Sequence, residues 1–294
     1  MASVRTSAAA LPGAVVVDPQ REFAFSNADF QFLARLAYEH AGISLAESKR
    51  NLVYGRLSRR LRALGLTSFG QYREYLEGDD SEIERFINSI STNHTKFFRE
   101  AHHFTHLRSS VAETFAQQDQ KKVPRRLRVW SAGCSSGEEP YTIALVLRRE
   151  MTDMNRHDVR ILATDIDTDI LAKASCGEYS AEALDNVPDS FCRYFKPTEE
   201  GDGATIRIAQ EVRSLITFRP LNLMETWPMK GPFDAIFCRN VMIYFDAPTK
   251  SKLIERFVRL IKPGGWLYIG HSESLLGSHP GLQLMGRTIY RRDP

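Results

Sequence analysis

The sequence predicts an α/β domain interrupted by a small antiparallel β-subdomain and preceded by an all-helical N-terminal domain. Three observations carry this. Residues 23–98 show only helical periodicity. From residue 127 onward, short apolar runs (127–130, 159–163, 233–238) alternate with helical patterns, as a chain of βαβ units requires. Between about residues 176 and 213 that alternation breaks; residues 198–203 are turn-rich, and residues 205–209 alternate as an exposed strand.

Composition bounds the function before any motif does. The 294 residues are 43% hydrophobic and 26% charged with a formal net charge of +3, ordinary for a globular chain of about two domains. Near neutrality demands no nucleic-acid partner. No apolar run approaches the roughly 20 residues that cross a bilayer, and residues 8–17, broken by Pro12 and Gly13, lack a cleavage context. Residues 1–22 are expected to form a disordered tail. The four cysteines make no C-x-x-C pair, which points to a reduced, cytoplasmic protein.

The helical domain opens at Ser26-Asn-Ala-Asp29, a capping sequence, followed by the stripe Phe30, Leu33, Ala34, Leu36 and Ala37 up to Gly42. In the next helix, residues 49–64, Val53, Leu57, Leu61 and Leu64 share one side. Lys49, Arg56, Arg59, Arg60 and Arg62 spread over the other with no acidic neighbour in the pattern. Five like charges on one short face repel, so an acidic partner is expected there. Helices over 69–77 and 81–90 lead into residues 91–100, where Phe97 and Phe98 anchor a segment that carries Asn93, Thr95 and Arg99. A linker helix and connection occupy 99–126. His102 and His106 lie one turn apart, but no carboxylate or cysteine is in register, and no metal is expected.

Residues 127–142 are the centre of the α/β domain. Leu127, Val129 and Trp130 form a strand; small residues 131–137 form a tight loop; Glu138-Glu-Pro140 opens a helix with Pro and carboxylates where a first turn favours them. Gly133 and Gly137 admit close backbone approach by a ligand. Two carboxylates there are poor company for a pyrophosphate. They suit ammonium and hydroxyl donors instead, such as those of S-adenosylmethionine. Asp165, 28 residues past Gly137, ends the next strand, where an acidic side chain accepts from ribose hydroxyls, and Asp167 caps the helix after it. A strand at 214–219 and the almost uniformly apolar 233–238, a central strand, place Asn222 and Asn240 at the carboxyl ends where ligands of open α/β sheets bind. A helix at 248–261, a turn at 262–265, a strand at 266–270 and a hairpin at 282–291 complete the chain.

Four stretches in order, Asn93-His-Thr-Lys-Phe-Phe-Arg-Glu100, Ser131-Ala-Gly-Cys-Ser-Ser-Gly-Glu-Glu-Pro-Tyr141, Ala163-Thr-Asp-Ile-Asp167 and Phe237-Cys-Arg-Asn-Val-Met-Ile-Tyr-Phe245, resemble the chemotaxis receptor methyltransferases of the CheR family. The similarity runs from about residue 28 to the C-terminus. It implies a Rossmann-like, seven-stranded S-adenosylmethionine-dependent methyltransferase domain that methylates glutamate carboxylates of membrane chemoreceptors, yielding methyl esters and S-adenosylhomocysteine. By resemblance, Asn93, Thr95, Arg99, Glu139, Asp165, Asn222, Leu223, Asn240 and Val241 hold the donor; Glu138 is the alternative to Glu139. Arg99 and Tyr244 are the candidates for orienting the reacting groups. Arg56, Arg59 and Arg60 would meet the acidic methylation helices of the receptor, with the enzyme a monomer. In some members the β-subdomain docks a receptor C-terminal peptide. A carboxylate is ionised at neutral pH and needs no general base. The rivals are an adenine or glutamine-amide methyltransferase and a non-catalytic S-adenosylmethionine-binding module.

Overall fold

The computed structural model describes residues 21–112, 126–151, 154–198, 205–273, 275 and 280–294. The tail expected over 1–22 therefore lies outside the described residues except for Arg21 and Glu22, as do 113–125 of the connection and 199–204 of the turn-rich loop. The chain divides into two units, one of residues up to Glu39 with Ser44–Ile90, the other of His40–Ile43 with Ser91–Pro294.

The first unit is helical. Helix α1 (Asn27–Ala41) starts with the foreseen cap: the Asp29 amide donates to Ser26 Oγ at 3.1 Å, and the Ser26 amide to Asp29 Oδ2 at 2.8 Å. Helix α2 (Arg50–Leu64) buries Val53, Leu57 and Leu61 and ends at Gly65, whose φ of 68° closes a left-handed cap. Helices α3 (Phe69–Gly78) and α4 (Asp80–Ile90) complete the unit, with Phe69, Tyr72, Phe86 and Ile90 buried.

The charged face of α2 differs from the unpartnered array that the pattern suggested. Arg60 Nε donates to Glu82 Oε1 at 2.7 Å and Nη2 to Oε2; Glu82 is 1% exposed and also accepts the Tyr72 hydroxyl at 2.9 Å. Arg62 pairs with Glu22 at 2.8 Å, and Arg56 donates to the Ile90 carbonyl. These acceptors lie 22 to 40 residues away in sequence, beyond the reach of local periodicity. Lys49 and Arg59 stay exposed.

The second unit begins with helix α5 (Ala101–Leu107) and then the α/β domain. In chain order its elements are β1 (Arg126–Ala132), α6 (Glu138–Glu150), β2 (Asp158–Asp165), α7 (Thr168–Cys176), β3 (Glu178–Ser180), β4 (Phe195–Pro197), β5 (Thr205–Ile208), β6 (Ile216–Pro220), β7 (Phe233–Cys238), α8 (Ala247–Leu260), β8 (Ile261–Ile269), β9 (Leu282–Gly286) and β10 (Ile289–Arg292). The sheet has seven strands in the order β6-β2-β1-β7-β8-β10-β9. The first five are parallel; β10 runs antiparallel to β8, and the edge strand β9 runs antiparallel to β10. Chain order reverses between β1 and β7, which opens a crevice at their carboxyl ends.

Alternation along β1 builds both faces. Val129 packs with Tyr141, Ile143, Leu147 and Phe237, whereas Trp130 packs with Phe233, Leu253 and Phe257. The inserted subdomain is the three-stranded antiparallel sheet β3-β5-β4. Its strand β5 is not simply exposed: Ile206 and Ile208 are 5% and 1% accessible and join the core beside Phe195. Residues 262–265, expected to turn, stay within β8. The ladder shifts register between Phe233 and Ala235, and at Gly265 a Cβ would come within 2.9 Å of the Asp234 carbonyl. Among the described residues no helix is long and apolar enough to cross a membrane.

Candidate active site

The loop after β1 is held against the end of β2, since the amides of Gly133 and Cys134 both donate to the Thr164 carbonyl, at 2.8 and 2.9 Å. Gly133 has φ 78°, and a Cβ there would strike Val241 Cγ2 at 2.3 Å; Gly137 has φ 96° and lies against Tyr179 and Ala174. The backbone conformation and the close packing both require glycine. So the loop passes directly beside the segment that follows β7.

Asp165 is 8% exposed and accepts the amides of Ser135 (2.7 Å) and Asp167 (3.0 Å). Its two oxygens hold about four lone-pair sites, more than these backbone amides occupy, so acceptor capacity remains for a further donor. Burial raises its pKa. Asp167 caps α7 by accepting the Ile170 amide at 3.1 Å, and its other oxygen accepts Asn93 Nδ2 at 2.6 Å. Asn93 Oδ1 in turn lies 3.4 Å from Ser135 Oγ. Asn93, the loop and Asp165 are thereby one hydrogen-bonded group. Phe97 and Phe98 fix this segment, Phe97 edge-on to Tyr179 and Phe195, Phe98 against Phe191. Thr95 is half-exposed.

Of the two loop carboxylates, Glu139 turns inward. It is 8% exposed, accepting Ser131 Oγ at 2.7 Å and Arg239 Nη1 at 2.9 Å, while the half-buried Glu138 accepts Ser136 Oγ at 2.7 Å. Burial raises both pKa values. Arg99 sends Nη1 back to the His94 carbonyl at 2.7 Å, and its own carbonyl accepts Arg239 Nη2.

After β7, Asn240 takes φ 59°, and Glu273 holds it there. This carboxylate, 6% exposed, accepts the amides of Asn240 and Gly270 at 2.7 Å each and of Ile243 at 3.0 Å. Burial raises its pKa against those donors. Val241 touches the Gly133 position, and Tyr244 sits half-exposed at the end of a short 3-10 turn over Met242–Tyr244. The Asn222 side chain caps its own turn, Oδ1 accepting the Met224 amide at 2.9 Å; Leu223 is buried, and the Leu221 amide donates to the Asp165 carbonyl at 2.9 Å. Thus Asn93, Arg99, Glu139, Asp165, Asn222, Leu223, Asn240 and Val241 all belong to the second unit, most tied to the β1 loop or the Asp165 strand end. Arg56, Arg59 and Arg60 belong to the first.

Sequence reasoning missed Arg239, Glu100 and Glu273. Arg239 is 6% exposed and bridges Glu139 with Glu100 Oε2, the latter at 3.4 Å. Burial raises the pKa of Glu100, but the Arg239 charge and hydrogen bonds from His271 outweigh it and hold the group at about 2. The signal for Arg239 was present: an arginine directly after a strand that is apolar apart from Asp234 is buried with it and must be paired. His106 places its two ring nitrogens 3.0 Å from the Tyr268 and Ser110 hydroxyls, and His102 Nε2 lies 3.1 Å from the Arg287 carbonyl, so the helical His pair is engaged elsewhere. Glu100, His102 and His103 do bring three ligand atoms within 4.8 Å, yet the Arg239 guanidinium beside Glu100 opposes a cation there.

Comparison with known proteins gives the family. Residues 28–91 match the model of the CheR methyltransferase all-alpha domain, and residues 93–291 that of the CheR methyltransferase SAM binding domain. A chemotaxis protein methyltransferase of Klebsiella aerogenes is 41% identical over 99% of this chain and 98% of its own length. The chemotaxis protein methyltransferase of Escherichia coli is 44% identical over 91% of each chain, and chemotaxis protein methyltransferase 2 of Pseudomonas aeruginosa is 44% identical over 92% of this chain and 95% of its own. With both family models matched in order around a seven-stranded sheet, the chain belongs to the CheR family of S-adenosylmethionine-dependent chemotaxis methyltransferases.

Proposed function

We propose that the chain methylates glutamate side chains of membrane chemoreceptors, acting on their cytoplasmic segments during adaptation. The observation that carries this is the cradle at the carboxyl edge of the sheet: the Gly133 loop packed on Val241, with Asp165 retaining free lone pairs beside it. That donor set suits a ligand with hydroxyls and a cationic centre. S-adenosylmethionine, when bound, supplies an electrophilic methyl group.

The residues of the chain do the rest. Asp165 accepts ribose hydroxyls, with Asn93 and Ser135 fixing its surroundings. Asn222 and Leu223 flank the adenine, and Asn240 and Val241 complete the wall. Glu139 adds negative charge under the loop, and Thr95 lines the approach. Arg99 and Tyr244 orient the acceptor carboxylate, which is ionised at neutral pH and needs no base. Alignment is the main contribution, and it removes several kcal/mol from a barrier. In the first unit, Arg56, Arg59 and Arg60 attract acidic receptor helices; Arg59, exposed and clear of the Glu82 pair, carries most of that attraction.

The test is incubation with methyl-labelled donor and chemoreceptor-bearing membranes, then mild alkali. A glutamate ester releases volatile methanol. Label that survives alkali points to an amide or amine acceptor and refutes the proposal. Asp165→Asn should weaken S-adenosylhomocysteine binding by about tenfold or more, since hydrogen bonds to a charged group contribute about 1.5–3 kcal/mol, as calorimetry would report.

A further inference from the structure

The buried arginine at the end of β7 has a role that its burial alone does not explain. Its guanidinium meets three oxygens from two other segments: it hydrogen-bonds Glu139 Oε2 at the start of α6 and the carbonyl of Arg99, and it forms an ion pair at 3.4 Å with Glu100 Oε2 in the turn before α5. The ring of Phe104 lies 5.4 Å from its carbon centre and closes the remaining side. Two carboxylates and one guanidinium leave one net negative charge enclosed under the donor loop. We infer that Arg239 is a positioning residue, which locks the Arg99 turn to the Glu139 loop, so that Arg99 and the loop reach the donor in fixed register.

Backbone geometry gives independent support. Phe98 and Glu100, on either side of Arg99, both have positive φ, 54° and 57°. Such a turn persists in non-glycine residues only when its surroundings over-determine it, and Arg239 is the group that grips it from below. The other titratable groups around this cluster are His103, whose Nδ1 lies 3.4 Å from Glu100 Oε2, His271, whose Nδ1 lies 3.0 Å from Glu100 Oε1, and the buried thiols of Cys134 and Cys238. His103 is held neutral by burial and Cys134 and Cys238 are held protonated by it, so none of these three groups replaces the guanidinium charge. Two neighbouring buried carboxylates without a cation share a proton.

The inference rests on the donor reading of this site, and the first measurement separates the two: wild-type protein that fails to bind S-adenosylhomocysteine by calorimetry overturns that reading and this one with it. Given binding, Arg239→Gln should lower kcat by about 10²-fold, the cost of a misplaced catalytic segment. Its S-adenosylhomocysteine affinity should also become proton-linked between about pH 6 and 8, seen as a dependence of the binding heat on buffer ionisation. Adding Glu100→Gln to Arg239→Gln removes one of the two charges and should abolish that linkage, recovering part of the affinity. A purely structural arginine would lower the unfolding temperature without proton linkage and without rescue. Arg239→Lys keeps the charge but cannot span the Glu139 carboxylate and the Arg99 carbonyl together, and it should fold, lose kcat and show no linkage. Wild-type kcat in either single variant, or a pH-independent affinity in folded Arg239→Gln, overturns the inference; should Arg239→Gln not fold, Arg239→Lys decides it by kcat alone.

Discussion

At the scale of single residues, conformational requirement and electrostatic pairing differ in how legible they are. Gly133 could be singled out because a small-residue loop after a strand is a local pattern, and the structure supplies the cause: φ of 78° and Val241 at 2.3 Å from where a Cβ would stand. Gly133→Ala should cost about 1–2 kcal/mol for the left-handed backbone alone and, by displacing Val241, reduce S-adenosylhomocysteine affinity more than it reduces the unfolding temperature of the rest. Asp165 and Asn240 were legible for the same reason, as strand-end residues. Glu273 was not, because its work consists of accepting amides of Asn240 and Ile243 some 30 residues earlier in the chain. Glu100 and His103 give a pH signature. Burial above all, with the Arg239 charge, pushes His103 down to about 3 from 6.5, and Glu100 sits at about 2 against 4.5. Both groups bind more protons unfolded than folded, so their stabilisation is complete above about pH 6.5 and is lost on acidification. His103 loses it first, and Glu100 follows below 4.5. Unfolding temperature should therefore fall as pH drops from 7 to 4, and His103→Gln should flatten the upper part of that curve.

Among elements, α2 shows what periodicity sees and what it misses. The apolar stripe Val53, Leu57 and Leu61 came directly from 3.6-residue spacing and is fully buried. The opposite face was taken as uniform, whereas tertiary pairing splits it: Arg60 serves the buried Glu82, and Arg59 remains exposed. Two substitutions on one face should then behave oppositely. Arg60→Ala leaves a buried carboxylate unpaired and should destabilise the helical unit by about 3–5 kcal/mol, read by thermal or denaturant unfolding. Arg59→Glu should leave stability within about 0.5 kcal/mol and donor affinity unchanged while slowing methylation of receptor membranes. Strand β8 is the complementary case. Lys262-Pro-Gly-Gly265 has turn composition, yet its glycines admit an irregularity inside a strand, since the neighbouring β7 supplies a ladder that composition alone does not reveal.

For the whole molecule, the alternation of apolar runs and helical patterns was enough to expect a parallel sheet, while the placement of β10 between β8 and β9 is a matter of long-range pairing. All the candidate donor-site residues lie in one unit, that of 40–43 with 91–294, even though Asn93 and Thr95 follow closely on the helical segment. S-adenosylhomocysteine at about 100 times its dissociation constant should stabilise that unit by about 2.7 kcal/mol. Hydrogen exchange should show the gain in amides of β1, β2 and β7 and little change over 44–90. The sheet order has one more consequence. Val129 of β1 pairs with Ala235 of β7, on the far side of the subdomain and two further strands. At about 5–20 residues per second of synthesis, β1 waits roughly 5–20 s for that neighbour. Through that interval the nascent sheet shows a bare edge and the uncovered ring of Trp130, so refolding from denaturant should lose yield to aggregation as concentration rises.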